Sequence, residues 1–90
     1  MFNLVSTKQF KKDIKLLKKQ GKDLSKLWNV LDLLVYASSL PAKYKNHSLS
    51  GKFAGYKELH IEPDWLLIYL IENDNIYLTT TGSHANLFKR

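Results

Sequence analysis

The sequence predicts an α+β fold in which an N-terminal strand, an αα-hairpin and C-terminal antiparallel strands form one sheet with helices on one face. Three observations predict it. Apolar residues recur at helical spacing through the first part of the chain, β-formers gather in three short runs near its end, and turn residues punctuate the boundaries. With 90 residues, the chain is expected to form one domain spanning 1–90, because so short a chain buries only about 60 to 70% of its unfolded surface around a single core.

Residues 2–5 read as a short strand, and Ser6 or Thr7 then caps a helix whose core face carries Phe10, Ile14 and Leu17. At about 100° per residue, Lys8, Lys11, Lys12, Lys15, Lys18 and Lys19 fall on the other side. Gly21 breaks this helix and Asp23 offers an N-cap to a second, with Leu24, Leu27, Trp28, Leu31, Leu34 and Val35 as its apolar set, ending near Ser38 and Ser39. After Pro41, residues 42–55 turn to Lys, Asn, Ser and Gly, which predicts an irregular connection; a loop this long in a small domain is usually functional. Residues 56–61, 66–71 and 75–80 follow as three consecutive antiparallel strands, with turns at Glu62-Pro63-Asp64 and Asn73-Asp74.

The 13 lysines and one arginine stand against eight acids, a net charge of +6 that favours polyanionic partners, nucleic acid first among them. The absence of cysteine excludes disulfides, thiolate-held zinc and a thiol nucleophile, and suits a reducing cytoplasm. No run approaches the roughly 18 apolar residues that span a bilayer, so a cytoplasmic protein with no membrane partner is expected.

All three histidines, His47, His60 and His84, sit at junctions in the C-terminal half, with Asp64 and Glu58 nearby in sequence. A meander brings the end of one strand, the start of the next and the finish of the last to one sheet end, so His60, Asp64 and His84 are expected to converge, with the loop carrying His47 over them. Such a cluster suits RNA cleavage. The ribose 2′-OH must lose a proton as it attacks phosphorus and the 5′-oxygen must gain one as it leaves, and an imidazole titrating near pH 6.5 does either. Asp64 is placed to orient one ring. Trp65 and Phe88 offer flat surfaces for a base, and Lys43, Lys45, Lys52 and Arg90 offer charges for phosphates.

Plainer readings exist for each. Trp65 also fits core packing beside Leu67, Phe88 a pin for the C-terminus, and the helix lysines a solvated face. A zinc site on His60, Asp64 and His84 competes, but the spacing matches no familiar zinc motif and Pro63 keeps His60 and Asp64 off a shared helical face; no metal and no cofactor are expected.

The stretch Tyr44-Lys45-Asn46-His47-Ser48-Leu49-Ser50-Gly51, then Gly55-Tyr56-Lys57-Glu58-Leu59-His60-Ile61-Glu62-Pro63-Asp64-Trp65, then Thr81-Gly82-Ser83-His84-Ala85-Asn86-Leu87-Phe88, closely resembles the YafQ-like mRNA interferases of the RelE superfamily. The Leu-x-Gly ending of the loop and the Gly-Tyr pair point to the superfamily, and the three histidines with Pro-Asp-Trp between them narrow it. The resemblance implies a compact α+β toxin that cuts mRNA in the ribosomal A site and is neutralised by a cognate acidic antitoxin. It implies His47, His60, Asp64 and His84 as the catalytic group, with His84 as general acid and His47 or His60 as base, and Trp65 and Phe88 supporting RNA binding or the site's shape. One departure stands out: where family members commonly carry an arginine four residues before the last histidine, this chain has Thr80. Lys52 or Arg90 is expected to compensate, ahead of Lys57, which strand alternation places on the Leu59 face; alternation likewise assigns Thr80 to the face of Ile76 and Leu78. The alternatives are a catalytically weak RNA- or ribosome-binding protein and a basic interaction module for an acidic partner.

Overall fold

The computed structural model describes residues 1–36 and 39–88. Strand β1 (Asn3–Ser6) leads into α1 (Lys8–Lys19) and α2 (Ser25–Val35). After a 3-10 turn at Ala42–Tyr44 come the two-residue β2 (His47–Ser48), a second 3-10 turn at Gly51–Phe53, β3 (Lys57–Glu62), β4 (Trp65–Glu72), β5 (Asn75–Gly82) and the short α3 (His84–Phe88). The strands form one sheet in the order β1-β5-β4-β3-β2, with β1 parallel to β5 and every other pair antiparallel. The predicted α+β fold is therefore present, enlarged by β2 inside the stretch read as irregular and by α3 after the last strand.

Thr7, not Ser6, caps α1: its hydroxyl oxygen accepts from the Phe10 N–H at 3.0 Å and donates to the Thr79 carbonyl at 2.7 Å. Phe10 and Leu17 of α1 with Leu27, Val30, Leu31 and Leu34 of α2 pack on Leu59, Trp65, Leu67, Tyr69, Ile76 and Leu78, which makes this face the main core. Positions 27, 30, 31 and 34 form one stripe at 100° per residue; Trp28 falls on its flank and is 45% exposed. The opposite face holds a smaller cluster, Leu66, Ile68 and Leu87, and there α3 packs with Leu49 and Tyr56.

Two bulges set what faces the site. In β5 the register passes from Tyr69↔Leu78 to Ile68↔Thr80, leaving Thr79 as the extra residue, so Thr80 turns to the face of Ile68 and not to that of Leu78 as strict alternation requires. In β3 the register passes from His60↔Leu66 to Glu62↔Trp65, with Ile61 as the extra residue. Pairing of β1 with β5 stops at Leu78, and beyond it α1 side chains serve the strand edge. There buried Asp13 accepts from the Thr81 N–H at 3.1 Å, the Thr80 hydroxyl at 2.5 Å and the Gln9 amide at 3.0 Å. No helix among the described residues is long and apolar enough to cross a membrane.

Candidate active site

His47, His60 and His84 meet on the sheet face opposite α1 and α2. Ring centroids lie 6.2 Å apart from His47 to His60 and 5.9 Å from His60 to His84, and Phe88 continues the row 6.0 Å beyond His84. Each ring has a separate local cause. His60 stands on β3 opposite Leu66 of the inner cluster, and is the least exposed of the three. His47 is delivered by β2, which pairs with Glu58 and Lys57, and by Asn46, whose amide oxygen accepts from the Tyr69 hydroxyl at 2.7 Å. That phenol sits in the core, where burial raises its pKa, so it stays a donor and pins the loop. His84 opens α3 directly after Gly82 and Ser83, and Gly82 takes a φ of 154° where β5 turns into the helix.

Two carboxylates serve the three imidazoles. Asp64, in the β3–β4 turn, accepts from both the backbone N–H of His84 at 3.1 Å and its ring Nδ1 at 3.0 Å. These two bonds, the backbone one foremost, lower the Asp64 pKa, so the acceptor is anionic and Nδ1 carries the hydrogen. The other ring nitrogen, Nε2, belongs to a ring that is half exposed. Glu58 is the residue whose role the sequence reading missed. It is buried beneath the row, and its Oε1 lies 3.4 Å from Nε2 of both His47 and His60. The signal was available: Glu58 sits two residues before His60, on the same face of a strand. His47 also donates from Nδ1 to the Lys45 carbonyl at 2.7 Å, which fixes its ring.

The residues expected to contact RNA divide. Phe88 is 45% exposed beside His84, with Phe53 5.9 Å away edge-on. Lys43 and Lys45 border a cleft that reaches His60. Lys52 shares a second cleft with Thr80 and Phe88, whereas Lys57 lines a third on the helix side with Phe2 and Tyr69. Trp65 departs from the stacking reading: it is 1% exposed in the main core, with its indole N–H donating to the Thr81 hydroxyl at 3.0 Å. The helix-side parity of β4 turns its ring away from the histidines, so no face is left for a base. Its place in the site is to hold β4 to β5 beside Asp64. Arg90 lies outside the described residues. No group of three or more His, Asp or Glu side chains among the described residues is arranged to hold a metal ion.

Known proteins share this architecture. The mRNA interferase toxin YafQ of Escherichia coli K12 is 44% identical over 81 residues, covering 89% of this chain and 88% of its own. The crystal structure of the E. coli DinJ–YafQ complex matches with a TM-score of 0.90 at 40% identity, covering 98% of this chain and 99% of that one. The crystal structure of a metal-bound toxin from Helicobacter pylori matches with a TM-score of 0.92 at 39% identity, covering 98% and 100%. The family described as the bacterial toxin of type II toxin–antitoxin system, YafQ, matches residues 2–89. A match over nearly the whole sequence, on a fold that carries all three histidines to one surface, places the chain in the YafQ family of type II toxin–antitoxin toxins.

Proposed function

We propose that this protein is a ribosome-dependent endoribonuclease that cuts mRNA by histidine acid–base catalysis, without a metal, and that it acts in the cytoplasm as the toxin of a pair. The convergence of three imidazoles on two carboxylates carries the reading. His60 or His47 takes the proton of the ribose 2′-OH; the 2′-oxygen attacks phosphorus and the P–O5′ bond breaks. His84 delivers the Nε2 proton to the departing 5′-oxygen. The products are a 2′,3′-cyclic phosphate and a 5′-hydroxyl, and the proton gained by the base lies against Glu58 while Asp64 holds the acid in orientation.

Phe88 offers a stacking surface at the row's end with Lys52 in the same cleft, and Lys43 and Lys45 supply positive charge at the cleft beside His60. The partner that silences the site is an acidic antitoxin. The E. coli relative is seen in complex with DinJ, and this chain's +6 charge suits an acidic segment that folds on docking and covers or distorts the catalytic end. End-group analysis of ribosome-bound mRNA cleaved in excess EDTA, with ribosome integrity checked, tests the chemistry. Cyclic or 3′-phosphate ends are expected, and 3′-hydroxyl ends overturn the 2′-OH mechanism.

A further inference from the structure

β2 pairs only with Lys57 and Glu58, so from Leu59 onward β3 is the margin of the sheet. Along that margin a cleft of about 490 Å³ opens between β3, α2 and the turn at Ala42–Tyr44. We infer that this cleft holds the nucleotide on one flank of the scissile phosphate, with Lys43 and Lys45 on its phosphate and the Asn29 amide on its base. The inference rests on the RNA-cleaving reading and adds to it a base-reading residue on α2.

His60 belongs both to the histidine row and to the wall of the cleft, so an RNA strand with its reactive phosphate at the row has a neighbouring nucleotide at the cleft mouth. The volume lies in the range of clefts that enclose a small ligand, about 300 to 1,000 Å³. Its chemistry is that of a nucleotide. Ile61, Pro63 and the half-buried Tyr44 give an apolar lining for a base. Glu62, the one carboxylate among the described lining residues, is occupied by Lys22 at 3.2 Å and Lys26 at 2.6 Å. Lys43 and Lys45 pair with no carboxylate among the described residues, and Lys43 lies 5.1 Å from the centre of the Tyr44 ring, so both charges stand at the cleft for an anion. Asn29 is exposed at the rim, and its side chain presents a donor and an acceptor together, which matches a base edge. An acidic peptide would meet the same lysines; the His60 wall, shared with the histidine row, is what favours RNA. Lys45 also ties the cleft to the chemistry. It holds φ at 48°, and its carbonyl accepts from Nδ1 of His47, so a nucleotide that orders this turn also orders a catalytic ring.

Mapping cut sites on ribosome-bound mRNA for the wild type, Asn29→Leu and Asn29→Gln tests the inference. The wild type is expected to favour particular bases at one flanking position, Asn29→Leu to flatten that preference by roughly tenfold, as for loss of one two-point base contact, and Asn29→Gln to keep part of it. A non-cleavable 2′-O-methyl dinucleotide should shift the NMR amide signals of Asn29, Lys43 and Lys45. A wild-type cut profile in Asn29→Leu overturns the inference, as does a dinucleotide that perturbs only Phe53, Phe88 and their neighbours. Loss of antitoxin binding in Asn29→Leu with an unchanged profile assigns the cleft to the partner and overturns it equally. A wild-type protein that cuts no RNA at all fails the endonuclease reading first, which separates the two failures.

Discussion

One oxygen of buried Glu58, Oε1, lies 3.4 Å from Nε2 of His47 and 3.4 Å from Nε2 of His60. On the proposed mechanism, a proton acquired by either ring during attack of the 2′-OH meets a largely buried carboxylate. Glu58→Gln preserves shape and removes the charge. Single-turnover cleavage is expected to fall by about 10² or more, the lower range of general-base contributions, while circular dichroism stays native. A variant as fast as the wild type removes Glu58 from the mechanism.

Asp64 makes a different statement about pH. Its pKa is lowered by the His84 backbone N–H first and the ring second. A carboxylate depressed in the folded state contributes fully above its unfolded value and loses that contribution as pH falls through the folded value. The Asp64–His84 contact is thus expected to persist as pH falls to the ordinary aspartate value of 3.8 and to fail only below it. A titration of the Asp64 side-chain carbon by NMR checks this, and a midpoint at or above 3.8 contradicts it. Asp64→Asn should slow cleavage by roughly tenfold or more by removing the negative charge that holds the ring's Nδ1–H.

Thr80 stands where family members commonly carry arginine. The bulge at Thr79 turns it toward Ile68 and into a cleft of about 360 Å³ with Lys52 and Phe88, while its hydroxyl donates to Asp13. Thr80→Arg is expected to place a guanidinium beside Lys52 and raise single-turnover cleavage by about tenfold, a modest part of what one preorganised donor supplies. Lys52→Ala should slow the wild type more than it slows Thr80→Arg. A stable Thr80→Arg protein that cuts no faster shows that the chain does not use a phosphate clamp at this position.

The same hydroxyl carries a structural role that Thr80→Val isolates. Removing a donor from a buried carboxylate costs about 1 to 3 kcal/mol, and in a domain this size each kcal/mol moves Tm by roughly 4 to 8 °C. Thermal denaturation should show a fall of that order; an unchanged Tm means that Asp13 is satisfied without Thr80.

Much of this was legible because local patterns and the fold agree. The α1 and α2 stripes and the three late strands follow from periodicity, and a meander alone brings His60, Asp64 and His84 to one sheet end. What was hidden depends on contacts across the fold. Asp13 lies inside the apolar stripe between Phe10 and Leu17, and only the open edge of β5 explains a buried acid there. The two-residue β2 has too little sequence to announce itself, and the bulge at Thr79 reverses the face that counting assigns to Thr80. Trp65 beside Asp64 looks like a base platform until the inward parity of β4 is known. Glu58 needed only the two-residue period of β3, but its partner His47 comes from another strand.

The central claim is that His84 is the proton donor to the leaving oxygen. Single-turnover cleavage of ribosome-bound mRNA by His84→Ala, in EDTA and with the fold verified by circular dichroism, tests it most directly. The rate is expected to fall by about 10² to 10⁴, the range of general acid catalysis, with whatever product remains ending in a cyclic or 3′-phosphate. Undiminished cleavage by the folded variant, or cleavage that EDTA abolishes in the wild type while ribosomes stay intact, contradicts the account.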